Sequence, residues 1–397
     1  MAYDYSSLFK TDDGVSGTWR EIYDDSLSLP ENLITILKRT VYLPQDFYRI
    51  TASYFMMPSA LCKVVPYLFL YGQSGSGKST YARIASYLHG ASINGSNSTF
   101  AGIRNEIEAN RNGMIRVESN SEYVDTEQKE VERNTCLVWD DIDARLFLDD
   151  LNLYRLFKCG YDRSTDKIII SSKETGVNLE FHCFCPKIFS SISSLHLDDR
   201  FKELKRRLIV IPFKRVEDIP DEILNSYGVS KANWQDNLID DMTYDWEGFN
   251  KLYSEYWNLD RASTFLVNKQ ACSKLIKGLN SQQRIISLDL ITTGITCGIW
   301  AHINEAVTDI KTYWQWFKQE AEANSGLNGL LREYIKQEAK NASVGGIELK
   351  IYTNQIRNQV QLWVNKGWLY EAPRAKDVKE QMFDLGMRLQ KGVWVKG

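Results

Sequence analysis

The sequence predicts an α/β protein on a P-loop core: a three-layer, mainly parallel sheet, then a helical region, then a C-terminal winged-helix-like domain. Three observations predict it. The stretch "YLFLYGQSGSGKSTYARIASYL", residues 67–88, runs an apolar segment into a glycine-rich turn and then into helical periodicity. From residue 67 to about 213, apolar strand-like runs alternate with helical patterns, which is how a layered α/β domain reads. Beyond about 230 the pattern is helical with aromatic punctuation, and the chain closes on three helical stretches and the short run "GVWVKG".

Taken in order, residues 1–45 form an N-terminal region with one amphipathic helix over 33–41, and 46–64 read as a helix leading into the core. Strands are expected at 67–71, 135–139, 186–192 and 207–212, all short apolar runs. The polar, charged segment 104–134 reads as an excursion between two sheet strands. In "KIIISSKETGVNLEF", residues 167–181, two strand-like runs flank "SSKETG", which makes a hairpin. Trp234, Trp246, Tyr253, Trp257, Trp300, Trp314 and Trp316 punctuate the helical region as core anchors. Helices follow at 327–337, in "YTNQIRNQVQLWVNKGWL" and in "AKDVKEQMFDLGM", before the final strand. The domains are therefore expected at 46–228 (P-loop ATPase), 229–322 (helical) and 323–397 (winged-helix-like).

Composition bounds the rest. With 43% hydrophobic and 25% charged residues in 397, the chain can build two or three cores. No apolar run approaches the length of a membrane span, and the N-terminus lacks a basic-then-apolar leader pattern, so a cytoplasmic protein without membrane contact is expected. The seven cysteines are scattered, and His182, Cys183 and Cys185 sit in an alternating stretch that reads as buried strand rather than a metal set. Net charge is −3, yet residues 347–397 hold nine Lys/Arg against five Asp/Glu. A basic C-terminal segment on an acidic body fits a nucleic-acid-facing module or a merely solvated face.

The segment Gly72, Gln73, Ser74, Gly75, Ser76, Gly77, Lys78, Ser79 fits G-x-x-x-x-G-K-[ST] at every position, with Thr80 following. Glycines let consecutive backbone N–H groups turn inward around an anion, and the following helix adds its positive end. Lys78 can reach the β- and γ-phosphates, and Ser79 can place a hydroxyl on Mg²⁺. The motif thus implies ATP with Mg²⁺. About sixty residues on, "TCLVWDDIDA" ends an apolar strand in Asp140 and Asp141. A carboxylate at the C-terminal end of a strand lies at the rim where α/β sheets bind ligands. Asp140 can hold the Mg²⁺ shell with Ser79. Asp141 can polarise the attacking water, and Asp143 is a further acid or a helix cap.

A third block, "PKIFSSISSLHLDDRFKELKRRLIVIPF", spans 186–213. Its first strand ends in serines, of which Ser190, Ser191 or Ser193 can contact the γ-phosphate or the attacking water. Arg200, Arg206 and Arg207 then offer a guanidinium for charge building on the γ-phosphoryl group, of the kind a neighbouring subunit supplies in ring ATPases, or plain surface charge.

With these three blocks the chain resembles superfamily 3 helicases, the AAA+-type replicative motors of small DNA viruses, phages and plasmids, over roughly residues 45–215. "DDRFKELKRRL" is similar to the papillomavirus helicase segment that ends in a trans-acting arginine, which implies Arg207, with Arg206 the near alternative. The layout is more similar still to phage and plasmid ATPases linked to replication primases, which share "CGY-x-R", a hairpin, then "F-x-PK". In the superfamily the sensor strand usually ends in Asn; here Ile192 stands there, so a serine must substitute or the contact comes from elsewhere. The resemblance implies that the 167–181 hairpin grips one nucleic-acid strand in a ring channel, with Lys173 at the tip and Lys167 and Arg163 near its base.

The resulting expectation is an ATP-hydrolysing oligomeric motor, a hexameric ring on single-stranded or forked DNA, in a bacterial, phage or plasmid replication setting. The C-terminal domain would contact duplex DNA or a replication partner through Arg357, Lys366, Lys376 or Lys379. No primase or nuclease constellation is visible in the sequence, so a primase or polymerase would sit on another chain. The competing expectation is a non-processive AAA+ switch: a loader, initiator or defence-system ATPase that assembles on nucleic acid without unwinding.

Overall fold

Three of the five strands of the central sheet are apolar runs, and burial explains why. The computed structural model describes residues 24, 26–44, 47–95, 97–109, 113–117, 129–133, 136–143, 146–171, 178–192, 195–196, 201–226, 246–324, 326–345, 348–365 and 373–396. The chain divides into two compact units, residues 1–193 with 207–312, and residues 194–206 with 313–397.

The first unit is built on a five-stranded sheet of β1 (Tyr67–Gly72), β2 (Ile93–Asn94), β5 (Leu137–Trp139), β8 (Lys187–Ser191) and β9 (Leu208–Phe213), in the order β2-β5-β8-β1-β9. Every pairing in it is parallel. A parallel sheet needs a covered face on each side, so its strands lose the polar–apolar alternation of a half-exposed sheet. Tyr67, Leu68, Phe69 and Leu70 are fully buried, as are Leu208, Val210 and Ile211. Rings of Tyr67, Phe69, Phe157 and Phe189 meet at centroid separations of 5.2 to 5.6 Å.

The helices of this unit carry their own start and stop signals. Helix α1 (Leu29–Thr40) begins a turn earlier than the periodicity suggests, because Ser28 and Glu31 close a capping box and a proline sits in the first turn. The expected long helix over 46–64 is α2 (Phe47–Phe55) and a separate 3-10 turn, Ser59–Leu61, capped at Pro58. Helix α3 (Lys78–His89) is bracketed by Gly77 and Gly90, both left-handed.

Between β2 and β5 the chain makes α4 (Phe100–Ala109) and a hairpin of β3 (Gly113–Val117) with β4 (Lys129–Arg133), outside the main sheet. After α5 (Leu146–Asp149) and α6 (Leu151–Cys159), a second antiparallel hairpin pairs β6 (Lys167–Ser171) with β7 (Asn178–His182). Its connection, with Lys173, lies outside the described residues. Cys183 and Cys185 are buried, and Cys183 donates to the Asp166 carbonyl. Helices α8 (Asp221–Ser226), α9 (Trp246–Tyr256), α10 (Leu259–Leu275) and α11 (Ser281–Thr296) complete this unit with the first part of α12 (Ile303–Asn324). Tyr253, Trp257 and Trp300 are buried there. Gly294 is required: a Cβ on it would lie 2.1 Å from the Trp300 ring.

The second unit holds α7 (Lys202–Lys205), the rest of α12, α13 (Gly326–Val344), α14 (Thr353–Asn365) and α15 (Ala375–Asp384). Its antiparallel sheet has the order β10-β12-β11, from Lys350–Tyr352, Val393–Lys396 and Met387–Gln390. The final strand expected from the sequence is thus one of three. Leu331, Ile351, Ile356, Val360, Trp363, Met382 and Trp394 form its core. Lys391 and Gly392 both have positive φ, the geometry of a two-residue hairpin turn. Among the described residues no helix is long and apolar enough to cross a membrane.

Candidate nucleotide site

The P-loop joins β1 to α3, and its conformation follows from its glycines. Gly75 and Gly77 sit at φ +76° and +91°, where a side chain would be strained. Gly72 is required for a different reason: a Cβ there would lie 2.5 Å from the Phe213 carbonyl oxygen of the adjacent strand. The Ser76 hydroxyl donates to the Gln73 carbonyl (2.7 Å) and closes the turn.

Lys78 is the first residue of α3 and is buried. Its ammonium donates to the carbonyls of Gly72 and Gln73, both at 2.8 Å, and so is folded onto its own loop. Burial lowers its pKa from the usual lysine value, Arg215 adds to that, and Asp140 and Asp141 oppose it.

The acidic pair follows β5. Asp140 is held from two sides: its N–H donates to the Asn94 carbonyl (2.9 Å), and its carboxylate accepts from the Ser190 hydroxyl. Asp141 adopts φ +55°, a left-handed geometry that Asp tolerates better than most side chains. Its N–H donates to the Ser190 hydroxyl (2.7 Å). Ile142 donates to the Ser190 carbonyl (2.8 Å) and accepts from the Ser191 hydroxyl (2.6 Å). Strand β8 therefore pins the acidic turn along three consecutive residues.

These groups share one cavity of about 500 Å³, with Ser74 to Thr80, Asp140, Asp141 and Ser190 in its wall. It lies at the C-terminal ends of β1, β5 and β8, where open α/β sheets bind ligands. Ser79 and Asp140 supply a hydroxyl and a carboxylate, the hard oxygen donors that suit Mg²⁺ beside phosphates. Ile192, exposed, also lines the cavity.

Not every sequence-predicted residue is brought here. The Ser191 hydroxyl is buried and turned to the Ile142 carbonyl. Arg207 is buried, and its guanidinium lies over the Tyr161 ring at 5.4 Å. It precedes β9, whose first residue pairs with Tyr67, so it stands about 20 Å along the strand from the cavity rim. Arg206 is half-exposed and bridges Glu203 at 2.7 Å within the second unit. Arg163 donates to the carbonyls of Ser59 (2.8 Å) and Cys62 (3.3 Å) with its guanidinium over Phe184. Lys167 pairs with Glu180 across the hairpin at 2.5 Å.

Five contributors escaped sequence reasoning. Thr40 and Val41, at the end of α1, line the cavity. So do Lys214 and Glu217 just past β9, while Arg215 donates from Nε to the Ser74 carbonyl (2.7 Å). The signal lies in strand register: β9 runs parallel to β1, so residues leaving it emerge beside the P-loop.

Fold and site together are those of a mixed α/β protein with a P-loop-like core. No family model and no curated protein matches the chain. Among solved structures, one described as "SCCmec type IV Cch - active helicase" is similar at 13% identity and TM-score 0.40, covering 95% of this chain and 68% of that one. A second, an apo form of the NrS-1 C-terminal region, is similar at 14% identity and TM-score 0.26, covering 68% of this chain and 66% of that one.

Proposed function

We propose that the chain is an ATP-hydrolysing motor that moves on single-stranded DNA and parts duplex DNA during phage- or plasmid-type replication. One observation carries the ATPase part: a fully matched P-loop and the Asp140–Asp141 turn, sixty residues apart in sequence, line one cavity at the same rim of a parallel sheet. In this reading the loop amides and Lys78 take the phosphates in exchange for the carbonyls that Lys78 now holds. Mg²⁺ would sit between Ser79 and Asp140, where it supplies charge neutralisation on the phosphates. Asp141 accepts a hydrogen bond from the attacking water. Ser190, committed to both acids, acts as their holder.

The motor part rests on sequence resemblance and on the β6–β7 hairpin, which pairs as expected and would carry Lys173 toward the strand. The trans-acting guanidinium is assigned to Arg206, because the Arg207 side chain is buried. ATP would bind between subunits of a hexameric ring. The three-stranded sheet with α13–α15 would serve as a winged-helix module on duplex DNA or on a primase or polymerase partner.

A second reading, a switch ATPase that assembles without unwinding, draws on Ile192: an apolar residue lines the cavity where a polar sensor is expected. A forked-DNA assay separates the two. Strand release with hydrolysis stimulated by single-stranded DNA supports the motor. ATP-dependent assembly on the fork without release supports the switch.

A further inference from the structure

The fifth strand brings to the nucleotide rim a segment that no motif marks. Gly72 and Phe213 are register partners at the ends of β1 and β9, so Gln73–Ser74 and Lys214–Arg215 leave the sheet side by side. The approach is close enough that only glycine fits at 72. Two consequences follow. Arg215 reaches the Ser74 carbonyl in the middle of the P-loop. Lys214 lines the cavity itself, as Asp140 and Asp141 do, and among the described residues no acid is paired with it.

We propose that Lys214 is a second cation, supplied by the same subunit, for the phosphates of the bound nucleotide, and that Arg215 is a positioning residue that clasps the P-loop at Ser74. This rests on the nucleotide reading of the cavity. The charges there favour the assignment. Asp140, Asp141 and Glu217 line the cavity, and among the described lining residues Lys78 is the one other cation. A second ammonium there would add charge-assisted hydrogen bonds to phosphate oxygens. The arginines singled out from the sequence do not fill this place: Arg207 is buried over Tyr161, and Arg206, paired with Glu203, is assigned to a neighbouring subunit's site. Lys214 directly follows the buried strand β9 and lines the cavity as an exposed side chain.

The test uses the full chain, a fluorescent ATP analogue with Mg²⁺, and steady-state hydrolysis. Lys214→Ala is expected to weaken Mg-nucleotide binding roughly ten- to a hundredfold, the range for losing a hydrogen bond to a charged group. Lys214→Arg is expected to recover binding to within a few-fold. Arg215→Ala should raise KM about fivefold with kcat little changed, and Arg215→Lys, which can still donate to the Ser74 carbonyl, should restore it. At limiting ATP, mixing Lys214→Ala with Lys78→Ala subunits should recover no more hydrolysis than the two variants show separately, since both lysines of a site come from one subunit. Binding by Lys214→Ala within twofold of the parent overturns the proposal, as does recovered activity in the mixture. Full nucleotide affinity in Lys78→Ala would instead remove the underlying site reading.

Discussion

The two rims of the central sheet use their cations in opposite ways. At the N-terminal rim, the Lys187 ammonium is fully buried and donates to the carbonyls of Gly160, Cys183 and Cys185, at 2.8 to 3.2 Å, with the Tyr67 ring at 4.8 Å. Arg207 lies over Tyr161, and Arg163 ties the 59–62 turn. Every one of these groups is used in holding loops to the sheet. At the C-terminal rim, Lys78, Lys214, Asp140 and Asp141 face an open cavity. Lys78 is engaged there too, but only with carbonyls of its own loop, partners that phosphate oxygens can replace. Lysines thus hold loops to the sheet at one rim and line a cavity at the other, where the proposed chemistry would take place.

That contrast can be broken by substitution. The largest effect on stability is expected at the architectural rim. Lys187→Met keeps most of the side-chain volume but orphans three buried carbonyls, and should cost about 3 kcal/mol in urea unfolding. Arg207→Ala should follow, at about 2 kcal/mol, through lost packing on Tyr161. Its neighbour sharpens the point: Arg206→Ala should leave the unfolding midpoint nearly unchanged while lowering hydrolysis, if the half-exposed guanidinium serves a neighbouring subunit. At the chemical rim, Ser190→Ala removes the shared partner of Asp140 and Asp141. It should cost about 1–2 kcal/mol, and kcat should fall more than nucleotide affinity, because the acids lose orientation and the P-loop does not. The smallest effect is expected for Lys167→Ala, whose pair with Glu180 is exposed: under about 0.5 kcal/mol by thermal unfolding.

How far the sequence could be read follows the same division. Strands β1 and β9 stand where their apolar runs put them, because burial on both faces leaves a continuous signal, and β8 lies within its expected range although it is bounded by Lys187 and two serines. Strand β2 was illegible: it is two residues long, and Ile93 is half-exposed. The P-loop and acidic pair were legible because their chemistry demands fixed residue types at fixed spacing. Lys187 and Arg207 were not, since a lysine beside a proline and one of two tandem arginines look solvent-facing until the loops that cover them are known. Lys214 and Arg215 were hidden by register, which comes from the pairing of strands some 140 residues apart in the chain. Ser190 was found as a polar group near the phosphates, but its engagement with both acids at once depends on the left-handed turn at Asp141.

The central claim is that this rim grips a nucleoside triphosphate through the P-loop. Titration calorimetry with Mg²⁺ and a non-hydrolysable ATP analogue tests it most directly, on the parent chain and on Lys78→Ala. The account predicts one site per chain in the parent and at least a roughly hundredfold loss in the variant, with unfolding unchanged. Equal affinity in the two proteins, or no heat from the parent, would contradict it.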